Sequence, residues 1–149
     1  MEARGYIHKY LHKNGRLMQI ATVGGDQPWI CTVYYVVDGA LNLYWLSLPN
    51  RRHSQEIAHH QKVAAAIVMK QDQPVVGVQV EGDAEEVTSG TIIARVMEKY
   101  AAKYDMGKEF YANFLEGKNQ HKLYRIKPRM FVLFDELDFP EEGRIEWWP

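Results

Sequence analysis

The chain has 149 residues, of which 46% are hydrophobic and 25% charged, a balance typical of a globular protein. Eighteen basic and nineteen acidic residues give a formal net charge of −1, which excludes a general attraction to nucleic acid or to an anionic membrane. The one cysteine, Cys31, excludes an intramolecular disulfide, and no apolar run reaches the roughly 18–20 residues of a membrane span. We therefore expect one domain over residues 1–149 in the cytoplasm, with no nucleic-acid or membrane partner.

The charge is unevenly distributed along the chain. Residues 1–70 carry a net charge of +4, residues 71–134 are neutral, and residues 135–149 carry −5. Any basic site must therefore be local.

The first half of the sequence predicts one helix and a run of strands. Ile7 and Leu11 are four apart and indicate a short helix that ends near Asn14–Gly15. Strand patterns with Gly and Asp turns between them then follow at 17–23, 29–37 and 41–48. This spacing predicts an antiparallel meander.

The second half alternates strands with a few helices. A short helix is predicted over 50–60, a second from a cap at Thr88 to Tyr104, and a third after Gly107. The strands are predicted at 63–69, 75–87, 121–127 and 130–135, with Pro128 separating the last two. An acidic, aromatic tail follows.

These elements predict a mainly β fold, a closed or nearly closed antiparallel barrel of six to seven strands with peripheral helices. A Rossmann fold is excluded because β-α-β alternation is missing. The sequence also contains neither G-x-G-x-x-G after a strand nor G-x-x-x-x-G-K-[ST]. A bound nucleotide or phosphate would have to be held in another way.

The most informative segment is the start of the predicted helix 50–60. Arg51, Arg52 and His53 lie in its first turn, where the helix dipole disfavours cations by about 0.3–1 kcal/mol each. A bound anion would resolve this conflict, because free backbone N–H groups, the hydroxyls of Ser47 or Ser54 and an arginine fork together suit a phosphate. The alternative is a solvated basic turn.

Other candidate sites carry weaker patterns. His8 and His12 have metal-ligand spacing but no third ligand, so no metal site is expected. Cys31 lies within a strand without a basic neighbour, which favours a buried thiol over a reactive one. The aromatic residues of the second and third strands suit either a planar ligand or a core: Trp29, Tyr34, Tyr35, Tyr44 and Trp45.

A family resemblance rests on several short motifs in this order. They are Pro28, the strand Thr32-Val33-Tyr34-Tyr35 with Asp38-Gly39, then Trp45-Leu46-Ser47, Arg52 opening a helix to Ile57, and the segment from Gly77 to Glu85. Together they resemble the pyridoxamine 5′-phosphate oxidase-like split-barrel flavoproteins, from about Leu17 to Val87.

The resemblance implies a homodimer that binds one FMN in each of two clefts at the subunit interface. Thr32, Val33, Tyr34 and Tyr35 would flank the flavin ring. Leu46 and Ser47 would lie beside the ring and the ribityl chain. Arg52 would hold the phosphate, with Arg51 before it and His53 after it in the sequence. Gln79 would approach from the partner subunit. These ten residues are the cofactor-binding prediction, and no catalytic residue is predicted.

The resemblance also bears on the activity. Pyridoxamine-phosphate oxidases proper carry a C-terminal Trp and an Arg-Leu-x-Pro segment, whereas residues 144–149 here read Arg-Ile-Glu-Trp-Trp-Pro. We therefore expect an FMN-dependent oxidoreductase of this class with a different small-molecule substrate. The alternatives are a noncatalytic flavin-binding or sensory module, a barrel that binds another apolar ligand, and a relative that uses a deazaflavin or haem.

Overall fold

The computed structural model describes residues 2–13 and 15–149, so the predicted stop at Asn14 lies outside the described residues. The elements in chain order are α1 (Ala3–Lys13), β1 (Leu17–Gly24), β2 (Gln27–Tyr34), β3 (Val36–Val37), β4 (Leu43–Ser47), α2 (Arg52–His59), β5 (Lys62–Lys70), β6 (Val76–Glu86), α3 (Gly90–Lys103), α4 (Lys108–Leu115), β7 (Lys122–Asp135) and β8 (Arg144–Trp147).

The strands form one antiparallel sheet in the order β2-β1-β5-β6-β7-β4-β3, and β8 pairs with the second half of β7. The two ends of this path, β2 and β3, are separated in sequence by Tyr35 alone. A sheet whose first and last strands are joined by one residue must curl round on itself. The predicted antiparallel barrel with peripheral helices is therefore confirmed.

The barrel interior follows from the alternation of side chains along each strand. In β1 the side chains of Met18, Ile20 and Thr22 point inward and are fully buried, whereas their neighbours are partly exposed. Corresponding residues of the other strands complete the main core, which includes Tyr35, Trp45, Ile67 and Phe131. Such alternation leaves the other face of β1, β5 and β6 available for contacts outside the barrel.

A second apolar cluster lies outside the barrel, where α3 and α4 cover the outer surface of β3, β4 and the start of β7. Its buried members are Val36, Tyr44, Val87, Val96, Tyr100 and Leu123.

Within the described residues, none of the helices has the length and apolar character required to cross a membrane.

The prediction of two strands separated by Pro128 is wrong, because β7 runs unbroken through this proline. The register shifts between Glu81 and Gly82 of β6, so that Gly82 faces Pro128 and Glu81 faces Met130, leaving Arg129 as the extra residue of a bulge. A Cβ on Gly82 would lie 2.3 Å from the Lys127 carbonyl oxygen, so glycine allows this close approach.

Three other element boundaries differ from the sequence prediction. The strand predicted over 29–37 is divided at Tyr35 into β2, which pairs with β1, and β3, which pairs with β4. The Tyr35 N–H donates to the Arg16 carbonyl, the next position in the register of β1 with β2, and to the Tyr104 hydroxyl. Ser89, not Thr88, caps α3 through a hydrogen bond from the Ile92 N–H. The acidic tail contains β8, which extends the sheet beside β7.

Candidate functional site

The start of α2 gathers the cationic residues singled out in the sequence. Arg51 is the N-cap residue, and its side chain makes no capping hydrogen bond. The first turn contains no acidic residue whose charge would interact favourably with the positive end of the helix dipole. Free N–H groups and two guanidinium groups therefore lie at one helix end, an arrangement that suits an anion.

Arg52 is held by side chains of three elements. Its Nε donates to Glu56 Oε2 at 2.9 Å, one turn along α2, and its guanidinium carbon lies 4.2 Å from the ring centroid of Trp29 in β2. Glu56 Oε1 in turn accepts a hydrogen bond from the buried Thr22 hydroxyl at 2.7 Å. These hydrogen bonds from Thr22 and Arg52 lower the pKa of Glu56. Arg52 is thereby fixed against the barrel end while its guanidinium stays partly exposed.

His53 and Ser47 lie close together on the side of the first turn of α2 that faces the barrel. His53 Nε2 lies 2.5 Å from Ser47 Oγ, and both side chains are buried. Burial and the nearby charge of Arg51 lower the pKa of His53, which favours a neutral imidazole. This pair connects the end of β4 to the first turn of α2, so it positions the helix end relative to the barrel.

A cleft of about 930 Å³ runs along α2. Its volume lies in the range of about 300–1,000 Å³ usual for small-molecule sites. The residues that line it are Val23, Gly24, Gly25, Pro49, Arg52, Ser54, Gln55, Glu56, Ile57, Ala58, His59, His60, Gln61, Glu85, Glu86 and Tyr124.

Ser54 is the polar residue of this cleft whose bonding is incomplete. Its side chain is 4% exposed, and its Oγ makes no hydrogen bond of normal geometry among the described residues. Burial raises the pKa of the Tyr124 hydroxyl, and the interaction of that hydroxyl with Ser54 acts to lower it. A group with acceptor oxygens at the start of α2 would satisfy the free N–H groups there.

The opposite wall of the cleft, formed by β6 and β7, carries negative charge that is partly neutralised. Glu85 Oε1 accepts from Arg125 at 2.6 Å and from Lys127 at 3.1 Å, and these contacts lower the pKa of Glu85. The Glu85 carboxylate is thus compensated on this wall, as the Glu56 carboxylate is compensated by Arg52 at the helix end.

The outward side chains of β2, β1, β5, β6 and β7 form a surface that we call the outer face. One register row crosses it through Thr32, Gln19, Ala66, Gln79 and Val132. Three strand spacings of about 4.8 Å separate Thr32 from Gln79, or about 14 Å. Within one chain, these two predicted flavin contacts lie on the same surface but too far apart to touch the same edge of a ring.

The neighbouring row of the outer face is Ile30, Ala21, Ala64, Glu81 and Met130. Ile30 is 62% exposed, and Ala64 and Ala66 of β5 point outward on the same face. A groove of about 350 Å³ lies over both rows. Small and apolar side chains thus cover the part of the outer face between Thr32 and Gln79.

The remaining predicted residues point in different directions. Val33 and Tyr35 face the barrel core, where the Tyr35 hydroxyl donates to the Leu11 carbonyl at 2.9 Å. Tyr34 points outward, is 54% exposed and packs edge-on against Tyr104 at 5.2 Å. Leu46 packs against the cluster beneath α3 and α4. The side chains of residues 32–35 therefore point alternately to the two faces of the sheet, so they cannot all contact one ligand.

Sequence reasoning missed Thr22 and Glu56 as members of this site, and it named Trp29 only among the aromatic residues that suit a planar ligand or a core. The spacing of Arg52 and Glu56 by four residues on one helix was a detectable signal for their ion pair. Thr22 and Trp29 are register partners in β1 and β2, and their contacts with α2 depend on how the helix lies across the barrel end. No local pattern in the sequence encodes that placement.

Comparison with known proteins identifies a family model and several similar structures. The model described as pyridoxamine 5′-phosphate oxidase matches residues 8–132. No curated protein sequence matches the chain.

Three solved structures illustrate the structural similarity. A conserved hypothetical protein from Mycobacterium tuberculosis superposes with a TM-score of 0.79 at 17% identity, covering 94% of this chain and 89% of that one. An FAD-binding protein from Mesorhizobium loti gives 0.64 at 22% identity, with 88% and 92% covered. The heme storage protein HutZ from Vibrio cholerae gives 0.62 at 15% identity, with 86% and 91% covered. At these identities the similarity establishes the split-barrel fold.

Proposed function

The chain belongs to the pyridoxamine 5′-phosphate oxidase family, and from that premise we propose that it is a flavoprotein that binds FMN and oxidises or reduces a small molecule. The observation that carries the proposal is the cationic, uncapped start of α2 beside a cleft that Arg52 lines. A phosphate monoester supplies the negative charge and the acceptor oxygens that these groups lack.

The residues at the start of α2 would share the work of holding the phosphate. Arg52 lines the cleft and would form a charge-assisted contact with the phosphate, while the first-turn N–H groups would donate hydrogen bonds to it. Arg51 is exposed and outside the cleft lining, so it would contribute mainly long-range attraction. His53, bonded to Ser47, would keep the helix end in place.

The flavin, when bound, would supply the electron-transfer chemistry, and the protein would orient it and exclude water. Thr32 and Tyr34 present side chains to the outer surface beside β1, where a planar ring could lie. Gln79 lies about 14 Å from Thr32 across the outer face, so a second subunit would have to bring its own Gln79 to the ring. The proposed site therefore requires a homodimer.

The outer face supports this dimer. Exposed apolar side chains such as Ile30 are characteristic of association surfaces, and the small outward side chains of Ala64 and Ala66 allow two sheets to approach closely. Three polar residues lie beside these alanines on the same face: Gln19, Gln79 and Glu81. The proposal also places the protein in the cytoplasm, where reducing conditions suit the unpaired Cys31.

A charge on the outer face should prevent dimer formation. Ala66→Glu would bury a carboxylate between the two sheets, so we expect a monomer at low micromolar concentration, with much weaker flavin binding. Ala112→Glu, at an exposed position on α4, is the matched control and should remain dimeric. Sedimentation velocity measures both. A wild-type monomer that still binds FMN tightly would contradict the shared site.

The ligand that copurifies tests the proposed function directly. We expect a yellow protein whose denatured supernatant contains FMN by chromatography, and whose colour is bleached by a nicotinamide or chemical reductant. A haem spectrum would instead favour haem binding, as in the heme storage protein from Vibrio cholerae. A bound deazaflavin would indicate a different cofactor class. Bound FMN that no cellular reductant or substrate bleaches would favour a noncatalytic module.

A further inference from the structure

A second groove lies between α1 and α3, away from the cleft along α2. It has a volume of about 480 Å³ and a floor formed by the buried side chains of Leu11, Val36 and Val37. Its rim carries His12 from α1, and Lys99, Ala102 and Lys103 from α3. None of these residues lines the α2 cleft, so this groove is a separate place in the fold.

The cations of this groove are held by aromatic and carbonyl groups. Lys103 Nζ donates to the Tyr35 carbonyl at 3.0 Å and lies 4.0 Å from the Tyr35 ring centroid. Lys103 and Arg16 each lie 5.4 Å from the centroid of the Tyr104 ring. These contacts fix the ammonium group of Lys103 at the inner end of the groove.

The charge of this cluster has no acidic partner. In the part of the chain that the structure describes, the ion pairs include none of Lys99, Lys103, Arg16 and His12. Asp38, next to the groove floor in sequence, is engaged by the backbone N–H of Ala40, by Asn42 and by the Tyr44 hydroxyl. The Tyr35 carbonyl, the Tyr35 ring and the C-terminal end of α3 offset part of the Lys103 charge, but among the described residues no carboxylate pairs with it.

Burial of the lysine makes this arrangement costly for the protein alone. Desolvation, together with the charge of Arg16, lowers the pKa of Lys103 to about 8. A half-buried ammonium group without a counter-ion is destabilised relative to one that has an anion in contact. An anion at this position would stabilise the charged form.

We propose that the groove between α1 and α3 binds a small organic anion, with its carboxylate or phosphate at Lys103 and its apolar body on Leu11, Val36 and Val37. Lys99, at the rim, would add positive charge where the ligand enters. Flat aromatic or short branched bodies suit this open, shallow floor. The site shares no lining residue with the cleft along α2, so its ligand is separate from the proposed flavin.

Isothermal titration of the complete protein with three matched probes tests this site. 2-Naphthoate and 2-naphthyl phosphate carry the two candidate anions, and 2-naphthamide is a neutral analogue of the same size. At about pH 7, we expect at least one anion to bind about 10-fold or more tightly than the amide, the size expected for a charge-assisted contact. The tighter anion identifies the ligand class.

The pH dependence gives a second readout. A group with a pKa of about 8 is roughly 90% protonated at pH 7 and 10% at pH 9, so anion affinity should fall by up to about ninefold between them. The titratable or charged groups around Lys103 are Arg16, His12, Lys99, Tyr35 and Tyr104. Burial raises the pKa of Tyr35 and Tyr104, the latter to about 12, so both phenols stay neutral over this range.

Variants assign the effect to Lys103. Lys103→Arg keeps a cation at high pH and should abolish the pH step while retaining anion binding, whereas Lys103→Met should lose about 10-fold or more in affinity. Lys99→Gln should weaken binding less, and Lys108→Gln, exposed on α4, should leave it unchanged. If Lys103→Met fails to fold, the Lys103→Arg variant and the pH series still show whether Lys103 is the group that binds the anion.

Two results would overturn the proposal. The first is equal or undetectable binding of the anions and the amide to the wild-type protein. The second is a wild-type pH step that persists in Lys103→Arg, since the titrating group would then be another residue. Neither result depends on whether FMN binds at α2.

Discussion

Arg52→Ala should weaken FMN binding by about 10- to 150-fold, the equivalent of losing one charge-assisted hydrogen bond worth about 1.5–3 kcal/mol. The structure adds a second reason for a large effect. Arg52 neutralises Glu56 through a 2.9 Å contact, so its removal leaves an unpaired carboxylate in the cleft. That carboxylate would repel a phosphate.

Comparing ligands and variants separates these contributions. Riboflavin has the same ring without the phosphate and should lose far less affinity than FMN in Arg52→Ala. Adding Glu56→Gln to that variant should recover the part of the loss caused by repulsion. Arg51→Ala is the matched control, and we expect a smaller loss because Arg51 is absent from the cleft lining. Fluorescence titration gives all the affinities, and thermal melts check folding.

Equal losses for FMN and riboflavin in Arg52→Ala would mean that the substitution damages the cleft and not a phosphate contact. Unchanged affinity for both ligands would identify the start of α2 as a solvated basic turn.

Gly82→Ala should lower the free energy of unfolding by about 1–3 kcal/mol, the usual cost of forcing an extra methyl group into a packed site. The new Cβ would lie 2.3 Å from the Lys127 carbonyl oxygen and 3.0 Å from Ile126 Cγ2, so β6 and β7 would have to separate. For a protein of this size, each kcal/mol lowers the melting temperature by about 2–4 °C.

Gly77→Ala is a control in the same strand. A Cβ there would lie 3.4 Å from the Ile67 carbonyl, a contact that small adjustments can accommodate. Calorimetry of the two variants should therefore show a large loss at position 82 and a small one at position 77. Similar melting temperatures would indicate that the bulge beside Gly82 readily absorbs a methyl group.

Much of the fold was predictable because strand periodicity is a local signal. The alternation in Val76, Val78 and Val80 marks β6 in the sequence and in the structure alike. Pro128 misled the prediction because proline usually ends a strand, whereas here a bulge at Arg129 accommodates it. The strand β8 was missed although Ile145 and Trp147 alternate with polar residues, since four residues give only a weak pattern.

The site was predictable only in part. The cations at the start of α2 conflict with the helix dipole, and that conflict is visible in the sequence. The contacts of Arg52 with Trp29 and of Glu56 with Thr22 connect α2 to two strands that precede it, and they arise only when the barrel is assembled. The ten predicted cofactor contacts stay predictions, of which the titrations above test Arg51 and Arg52.

The long strand β7 has a consequence for how the chain folds during synthesis. It supplies the neighbour of β6 along its whole length and, on its other side, of β4. Until β7 leaves the ribosome, β6 and β4 each expose an unpaired edge that could pair with another nascent chain. Leu43 of β4 pairs with Ile126 of β7, which is synthesised much later. Because such contacts join residues far apart in sequence, the barrel closes late in folding. Chaperones that shield strand edges would therefore act on the six-strand nascent chain.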